Sequence, residues 1–561
     1  MKRAVFAAVA MVGALAIFVK YAPAGERDDR ANRLQLVEAS VPELQLALRS
    51  HLVSSTQLVE AYQARIKAYN DAGPKLNAFL HVSDAAVRQA RLRDFERRLG
   101  FGFGPMFGIP ILLKDNINTD DMPTTAGSVS LAGSIPPDDA FITRRLRDAG
   151  AIILGKATLT EFANFIANNM PSGYSSLGGY GLNPYDPRAL PGGDGRPVLT
   201  PGGSSSGPGI AVAANLVTVA IGTETSGSIL SPSSANGVVG IKPTLGLVSR
   251  SGILPITAEQ DTAGPITRTV TDAAILLGVI AGFDRNDPAT IACLSPGNCH
   301  RDYTRFLDKH ALRGARIAVP HVPYWTGFTP EQTKLMTDAI AVLQAQGAVV
   351  ADPLELPNQA DISAFATCTT FPAPPTCSTV LMYGQKHDLN LYLAKRPNAP
   401  VHTIADIVAF NDAHADVALK YGQALFLAAN ALDVSPGSAD TQRFDADRAK
   451  DLALTQGGLD AVLNGPDGIE GTSDDFDAIL FPQNRGAAAP AKAGYPTVIV
   501  PGGFLPPVAP GIAPSPFGVA FMGRAFSEPR LIGLAFAYEQ ATRLRQPPAS
   551  TPPLASDSFV R

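Results

Sequence analysis

The chain has 561 residues, 45% of them hydrophobic and 17% charged, with a formal net charge of −4. A charged fraction below the usual ~25% leaves ample apolar material for a large buried core. The balance is not basic, and no Lys/Arg cluster is dense enough to track a phosphate backbone, which excludes a nucleic-acid partner.

The N-terminus opens with Lys2 and Arg3, an unbroken apolar run at 4–19, a small-x-small exit at 22–24 and a polar stretch at 25–30. This reads as a signal peptide over 1–24 that sends the chain to the periplasm or the exterior. Left uncleaved, the same run becomes an N-terminal anchor, the single route to a membrane expected here. Apolar positions at three- and four-residue spacing predict helix over 33–70. The run FGIPILL (107–113), ending at Lys114, reads as a buried strand, followed by a helix over 139–150 and a strand at 151–155. A helix running into a strand is expected at 209–223, a helix at 269–282, and strand, helix and strand at 314–320, 330–346 and 348–353. Late strands are expected at 476–482, 495–501 and 517–523, before a closing helix at 528–543. Such alternation implies an α/β fold with helices on both faces of a sheet. With no internal repeat and no dividing linker, residues 25–545 are expected as one domain, followed by a loose Pro/Ser-rich tail over 546–561. Cys293 and Cys299 are close in sequence, as are Cys368 and Cys377. Their spacing does not match a zinc site, and local pairing as two disulfides is expected, in keeping with export.

The chemistry concentrates in PGGSSSG (201–207) and GTETSGS (222–228). Glycine allows successive amides to converge on one point and form an anion-binding concavity. A serine beside it could attack a carbonyl while the amides hold the oxyanion. A nucleophilic serine needs a base, yet none of the eight histidines lies between Gly100 and Arg285. A neutral lysine can substitute. Bringing its pKa from ~10.4 to ~7 requires roughly 4–5 kcal/mol of preference for the uncharged form, which burial can supply. Lys114 is the leading candidate because it ends an apolar strand; Lys156 and Lys242 follow.

GIPILLKDNI (108–117), GKATLTEFANF (155–165), SGYSSLGGYGLNPY (172–185), PGGSSSG, GTETSGSI and NGVVGIKPTLGLVSRSGILPIT (236–257) together resemble the amidase signature family, in its bacterial peptide amidase branch. The resemblance is strong over roughly 105–285. It implies a large mixed central β-sheet with helices on both faces, and hydrolysis of carboxamide bonds in C-terminal peptide amides or small acylamides. It also implies a Ser–cis-Ser–Lys triad: Lys114 the base, Ser228 the nucleophile and Ser204, 24 positions earlier, the relay after a cis Gly203–Ser204 bond. Ser205 and Ser206 would support the relay, and the amides of Thr225, Ser226, Gly227 and Ser228 would form the oxyanion hole. No cofactor, metal or macromolecular partner is implied beyond the amide substrate.

The sequence departs from the family pattern at Ser226-Gly227, before the nucleophile, and at Leu230, where arginine is common. Residues 186–200 look like an insertion and are expected as a surface loop rather than a lid. Asp261 and Arg268 match family positions and read as structural hydrogen-bonding groups. Asp467, Glu470, Asp474 and Asp475 read as a solvated acidic loop rather than a calcium site, since they lack the twelve-residue EF-hand spacing. Tyr324 and Trp325 are candidates for either packing or a substrate cleft. The alternatives to an amidase are an esterase, a non-catalytic amide-binding protein on the same scaffold, and the glutaminase component of a tRNA-dependent amidotransferase, against which the export segment argues.

Overall fold

A computed structural model describes residues 33–561. The segment read as a signal peptide or anchor lies outside these residues. In chain order the strands are β1 (Arg33–Gln35), β2 (Phe79–Val82), β3 (Pro110–Lys114), β4 (Ile152–Ala157), β5 (Tyr174–Ser175), β6 (Gly179–Tyr180), β7 (Val219–Glu224) and β8 (Val239–Lys242). They continue as β9 (Thr262–Thr267), β10 (Arg316–Ala318), β11 (Val349–Ala351), β12 (Ala478–Pro482), β13 (Thr497–Leu505), β14 (Ser515–Met522) and β15 (Ser558–Val560). Eleven of them form one mixed sheet in the order β11-β10-β12-β14-β13-β8-β9-β7-β3-β4-β2. Helices cover both faces, as the alternation predicts.

The centre of this sheet positions the site. β3 runs parallel to both β4 and β7, with Ile111, Leu112 and Leu113 opposite Val219, Ala220 and Ile221. Every residue of β3, β4 and β7 is buried, the pattern of strands covered on both faces. Parallel strands end together, so the carboxyl ends of β3 and β7 open onto one spot, where open α/β sheets place their ligands. The Ser206–Ala213 helix is buried along its whole length. It approaches closely because Gly207 leaves no room for a side chain: a Cβ there would lie 2.4 Å from the Thr158 carbonyl oxygen.

Two expectations are corrected. Residues 33–70 are not one helix but β1, the helices Val41–Arg49 and Ser55–Arg65, and a π-helical turn at Ile66–Asp71. Ser40 with Glu43, and Ser54 with Gln57, form capping boxes that start each helix afresh. The apolar spacing continues through the break, so periodicity alone does not reveal it. The second correction concerns the tail at 546–561, which is not loose. β15 pairs antiparallel with β1, and Asp557 forms a fully buried ion pair with Arg65 at 2.5 Å. Arg65 and Tyr69 also donate to the carbonyls of Thr551 and Pro552. One buried charge holds what composition describes as a solvated segment. Cys293 is bonded to Cys299 and Cys368 to Cys377, the local pairing expected.

Removing one partner of a buried ion pair strands the other charge. Asp557→Ala is therefore expected to lower stability by about 3–5 kcal/mol, read as a lower urea midpoint with an unchanged denaturant slope.

Candidate active site

Lys114 ends β3 fully buried. Its Nζ contacts Ser204 Oγ at 2.7 Å, Thr223 Oγ1 at 2.9 Å and the Thr223 carbonyl at 3.3 Å. No carboxylate forms an ion pair with it among the described residues. Burial lowers its pKa to about 7, with Asp261 and Glu224 opposing from further away. The contacts suit a neutral amine. Its two N–H groups can go to the two Thr223 oxygens, and its lone pair can take the Ser204 hydroxyl proton.

The other two candidate lysines are already engaged. Lys156 pairs with Asp115 at 3.1 Å and donates to Thr124 Oγ1 at 2.7 Å. Lys242, with a pKa lowered by burial to about 8, donates to the Tyr495 carbonyl at 2.6 Å. Neither contacts a hydroxyl of the serine-rich segments.

Ser204 follows a cis peptide bond from Gly203, and its carbonyl accepts from the Thr160 amide at 3.0 Å. Gly203 is glycine for want of room, since a Cβ there would come 2.5 Å from Thr160 Oγ1. Ser205 Oγ accepts from the Thr223 amide at 3.1 Å and donates to the Thr223 carbonyl at 3.0 Å, tying the serine segment to the end of β7. The Ser205 amide donates to the Ser228 carbonyl at 3.1 Å, which brings residue 228 alongside residue 204. Ser206 Oγ is buried without a partner. Ser204 and Ser205 are fully buried, whereas Ser228 keeps 7% exposure. Of the three, Ser228 is the hydroxyl a substrate can reach.

The turn after β7 is organised by Glu224, which sequence reasoning missed. Its buried carboxylate accepts from the amides of Gly227 at 2.7 Å, Ile229 at 2.7 Å and Leu230 at 3.1 Å. The Gly227 amide, expected in the oxyanion hole, donates to Glu224 instead. Among the described residues the amides of Thr225, Ser226 and Ser228 have no protein acceptor, so they are the free donors on this turn. Gly227 adopts φ +81°, the left-handed conformation that lets successive amides point to different sides.

Three further residues escaped the sequence reading. Thr223 is the hub of the Lys114 contacts. Asn116 donates to Thr223 Oγ1 at 3.0 Å, and Gln260 donates to the Thr225 carbonyl at 3.2 Å. Their signal is positional: Thr223 and Asn116 lie within recognised motifs and Gln260 just after one, but the contacts depend on strand register. Asp261 accepts from Thr225 Oγ1 at 2.5 Å and from the amides of Ile256 and Thr257. Arg268 donates to the carbonyls of Val217 and Ala39. Both are structural, as expected.

Among the described residues the remaining candidates make no hydrogen bond to Lys114, Ser204 or Ser228. The 186–200 segment is a mostly exposed loop in which Asp194 accepts from Tyr421 and its carbonyl from Lys420. In the acidic loop, Asp474 accepts from Thr472 and the Asp467 amide, and Asp475 from the Gly471 amide. Trp325 stacks between His321 and Phe328, and Tyr324 packs on Phe481.

The family model described as Amidase matches residues 57–403. A probable amidase of Arabidopsis thaliana is 37% identical over 527 residues, covering 92% of this chain and 93% of that protein. The structure of native peptide amidase from Stenotrophomonas maltophilia is 42% identical with a TM-score of 0.80, over 92% of this chain and 99% of that one. An amidase family protein from Bacillus anthracis is 32% identical with a TM-score of 0.79, over 91% and 92%. A glutamyl-tRNA(Gln) amidotransferase component of Chloroflexus aurantiacus is 39% identical, but over only 58% of this chain and 62% of its own length.

Glu224→Gln keeps the volume but turns an amide NH₂ toward backbone donors. The lost charge-assisted hydrogen bonds are worth about 1.5–3 kcal/mol. The expected outcome is a fall in kcat of roughly tenfold to a hundredfold in a variant with an unchanged circular dichroism spectrum.

Proposed function

This chain belongs to the amidase family and hydrolyses carboxamide C–N bonds, and from that premise we propose that it does so through Ser228, Ser204 and Lys114, acting on C-terminal peptide amides or small acylamides. The observation that carries this reading is the buried Lys114 amine, 2.7 Å from Ser204 Oγ and without a carboxylate to hold its charge.

Neutral Lys114 accepts the Ser204 proton as Ser204 accepts the proton of Ser228. Ser228 Oγ attacks the amide carbonyl carbon, and the carbonyl oxygen becomes an oxyanion facing the free amides of Thr225, Ser226 and Ser228. The proton returns along the relay to the leaving nitrogen, which departs as ammonia or an amine. Water then enters, gives its proton to the same relay and releases the acid from the acyl-enzyme. The contacts of Ser205 and Asn116 with Thr223 hold the base in register. Preference for peptide amides is supported by the likeness to the Stenotrophomonas enzyme over nearly the whole chain. We also propose that the protein is exported: all four cysteines are used in disulfides, bonds that persist in oxidising compartments.

A fluorophosphonate probe is expected to label the wild type and not Ser228→Ala; equal labelling of both would remove Ser228 as nucleophile. Lys114→Met, matched in volume, is expected to lose at least a thousandfold in kcat, on the order of what removing one member of a catalytic triad costs.

A base with a pKa of about 7 is protonated below that value and free above it. The kcat/KM for ammonia release from a peptide amide should therefore fall about tenfold per unit as pH drops below about 7, and level off above it. A profile that stays flat over roughly pH 5–8 would exclude Lys114 as the base.

A further inference from the structure

The Ala86–Arg98 helix packs inward on the Ser55–Arg65 helix and β4. It turns one stripe outward, continued by its cap residue: Arg88, Arg91, Leu92, Phe95, Arg98 and Leu99 are all exposed. These positions recur every three or four residues, one face of a helix. The stripe runs into a glycine-rich turn carrying Phe101 and Phe103. Leu92, Phe95, Leu99, Phe101 and Phe103 are between 47% and 65% exposed, although a soluble surface normally scatters large apolar side chains singly.

The helix keeps its carboxylates off this face. Asp94 accepts from the amides of Ser55 and Thr56 and from the Thr56 hydroxyl. Glu96 is paired with Arg93 at 2.7 Å. Asp84, exposed just before the helix, is one turn from Arg88. Beside the stripe lies a cavity of ≈ 340 Å³ lined in part by His51, Arg91, Arg97 and Arg98 and by Asp94, whose carboxylate is taken up by Ser55 and Thr56.

We propose that this face docks on an anionic phospholipid surface, with Phe101 and Phe103 entering the acyl boundary and the arginines meeting lipid phosphates. The charge pattern selects this occupant. A second copy packed face to face would set one arginine-bearing patch against another of the same charge. No described helix is long and apolar enough to cross a membrane, so the contact is interfacial. Phe107, whose ring packs against Arg93 and Arg97, leads into the start of β3, whereas Lys114 stands at its end. Four steps of ~3.3 Å put Lys114 about 13 Å from the start of the strand. The docked enzyme would hold its active site away from the lipid, tethered to the membrane while acting on soluble amides.

The test is co-sedimentation of the full-length chain with vesicles of phosphatidylcholine alone, or mixed in equal parts with phosphatidylglycerol. The wild type is expected to bind the anionic vesicles preferentially, and less as salt is raised. Arg91→Gln/Arg98→Gln should weaken binding about thirtyfold, at about 1 kcal/mol for each basic residue. Phe101→Ser/Phe103→Ser should weaken it at least about tenfold. Both variants should hydrolyse soluble amides at the wild-type rate, which also shows that they fold. Equal binding to the two vesicle types, or wild-type binding by both variants, assigns any lipid affinity to the N-terminal apolar run and overturns the proposal. A wild-type dimer that the variants dissociate gives the face to a second copy and overturns it equally.

Discussion

The proposed chemistry rests on an amine removed from water without a carboxylate to accompany it. A lysine in water keeps its proton to high pH; one buried against neutral oxygens does not. Lowering the Lys114 pKa from 10.5 to about 7 corresponds to roughly 5 kcal/mol against the charged form. The rest of the sheet supports that cost by excluding water from the ends of β3 and β7. Hydroxyl and carbonyl partners satisfy the amine without restoring its charge.

The same fold buries Lys156 and Lys242 as deeply, and the contrast shows what partner chemistry decides. Lys156 meets Asp115, a partner that favours the ammonium. Lys242 meets a backbone carbonyl, which can accept a proton in a hydrogen bond but has none to give. Lys114 alone among the three faces a serine hydroxyl, a group able to donate and accept in turn. Burial makes all three unusual; Lys156 also meets a hydroxyl, on Thr124, but has Asp115 beside it to hold its charge, whereas Lys114 meets its hydroxyl with no carboxylate partner, as the proposed relay requires. Glu224 plays the complementary part on the neighbouring turn. Its carboxylate gathers three amides on one side and leaves the remaining donors facing the other.

Stability and positioning are drawn from the far ends of the chain. Arg65 and Asp557 close the N- and C-terminal portions of the described fold through one buried pair. The exposed arginine–phenylalanine stripe lies near the beginning of β3, at the opposite end of that strand from Lys114. That separation would let the proposed catalytic centre and the proposed docking face act without either constraining the other.

Local chemistry was legible in the sequence: the buried apolar strand ending in Lys114, the glycine–serine segments, most of the α/β alternation and both disulfides, because each depends on residues adjacent in the chain. The assignment of roles to Lys114, Ser204 and Ser228 came from several motifs in a set order, more specific than any one spacing. What the sequence could not determine depended on pairing between distant segments. Thr223 became the hub of the site only because β7 lies parallel to β3 in a particular register. The Gly227 amide is occupied only because Glu224 folds back onto it. The tail looked loose because proline and serine favour solvent, and one arginine nearly five hundred residues away outweighed that preference. Composition and periodicity report which groups are available; the tertiary structure decides which meet, since burial sets the strength of each contact and burial belongs to the whole fold.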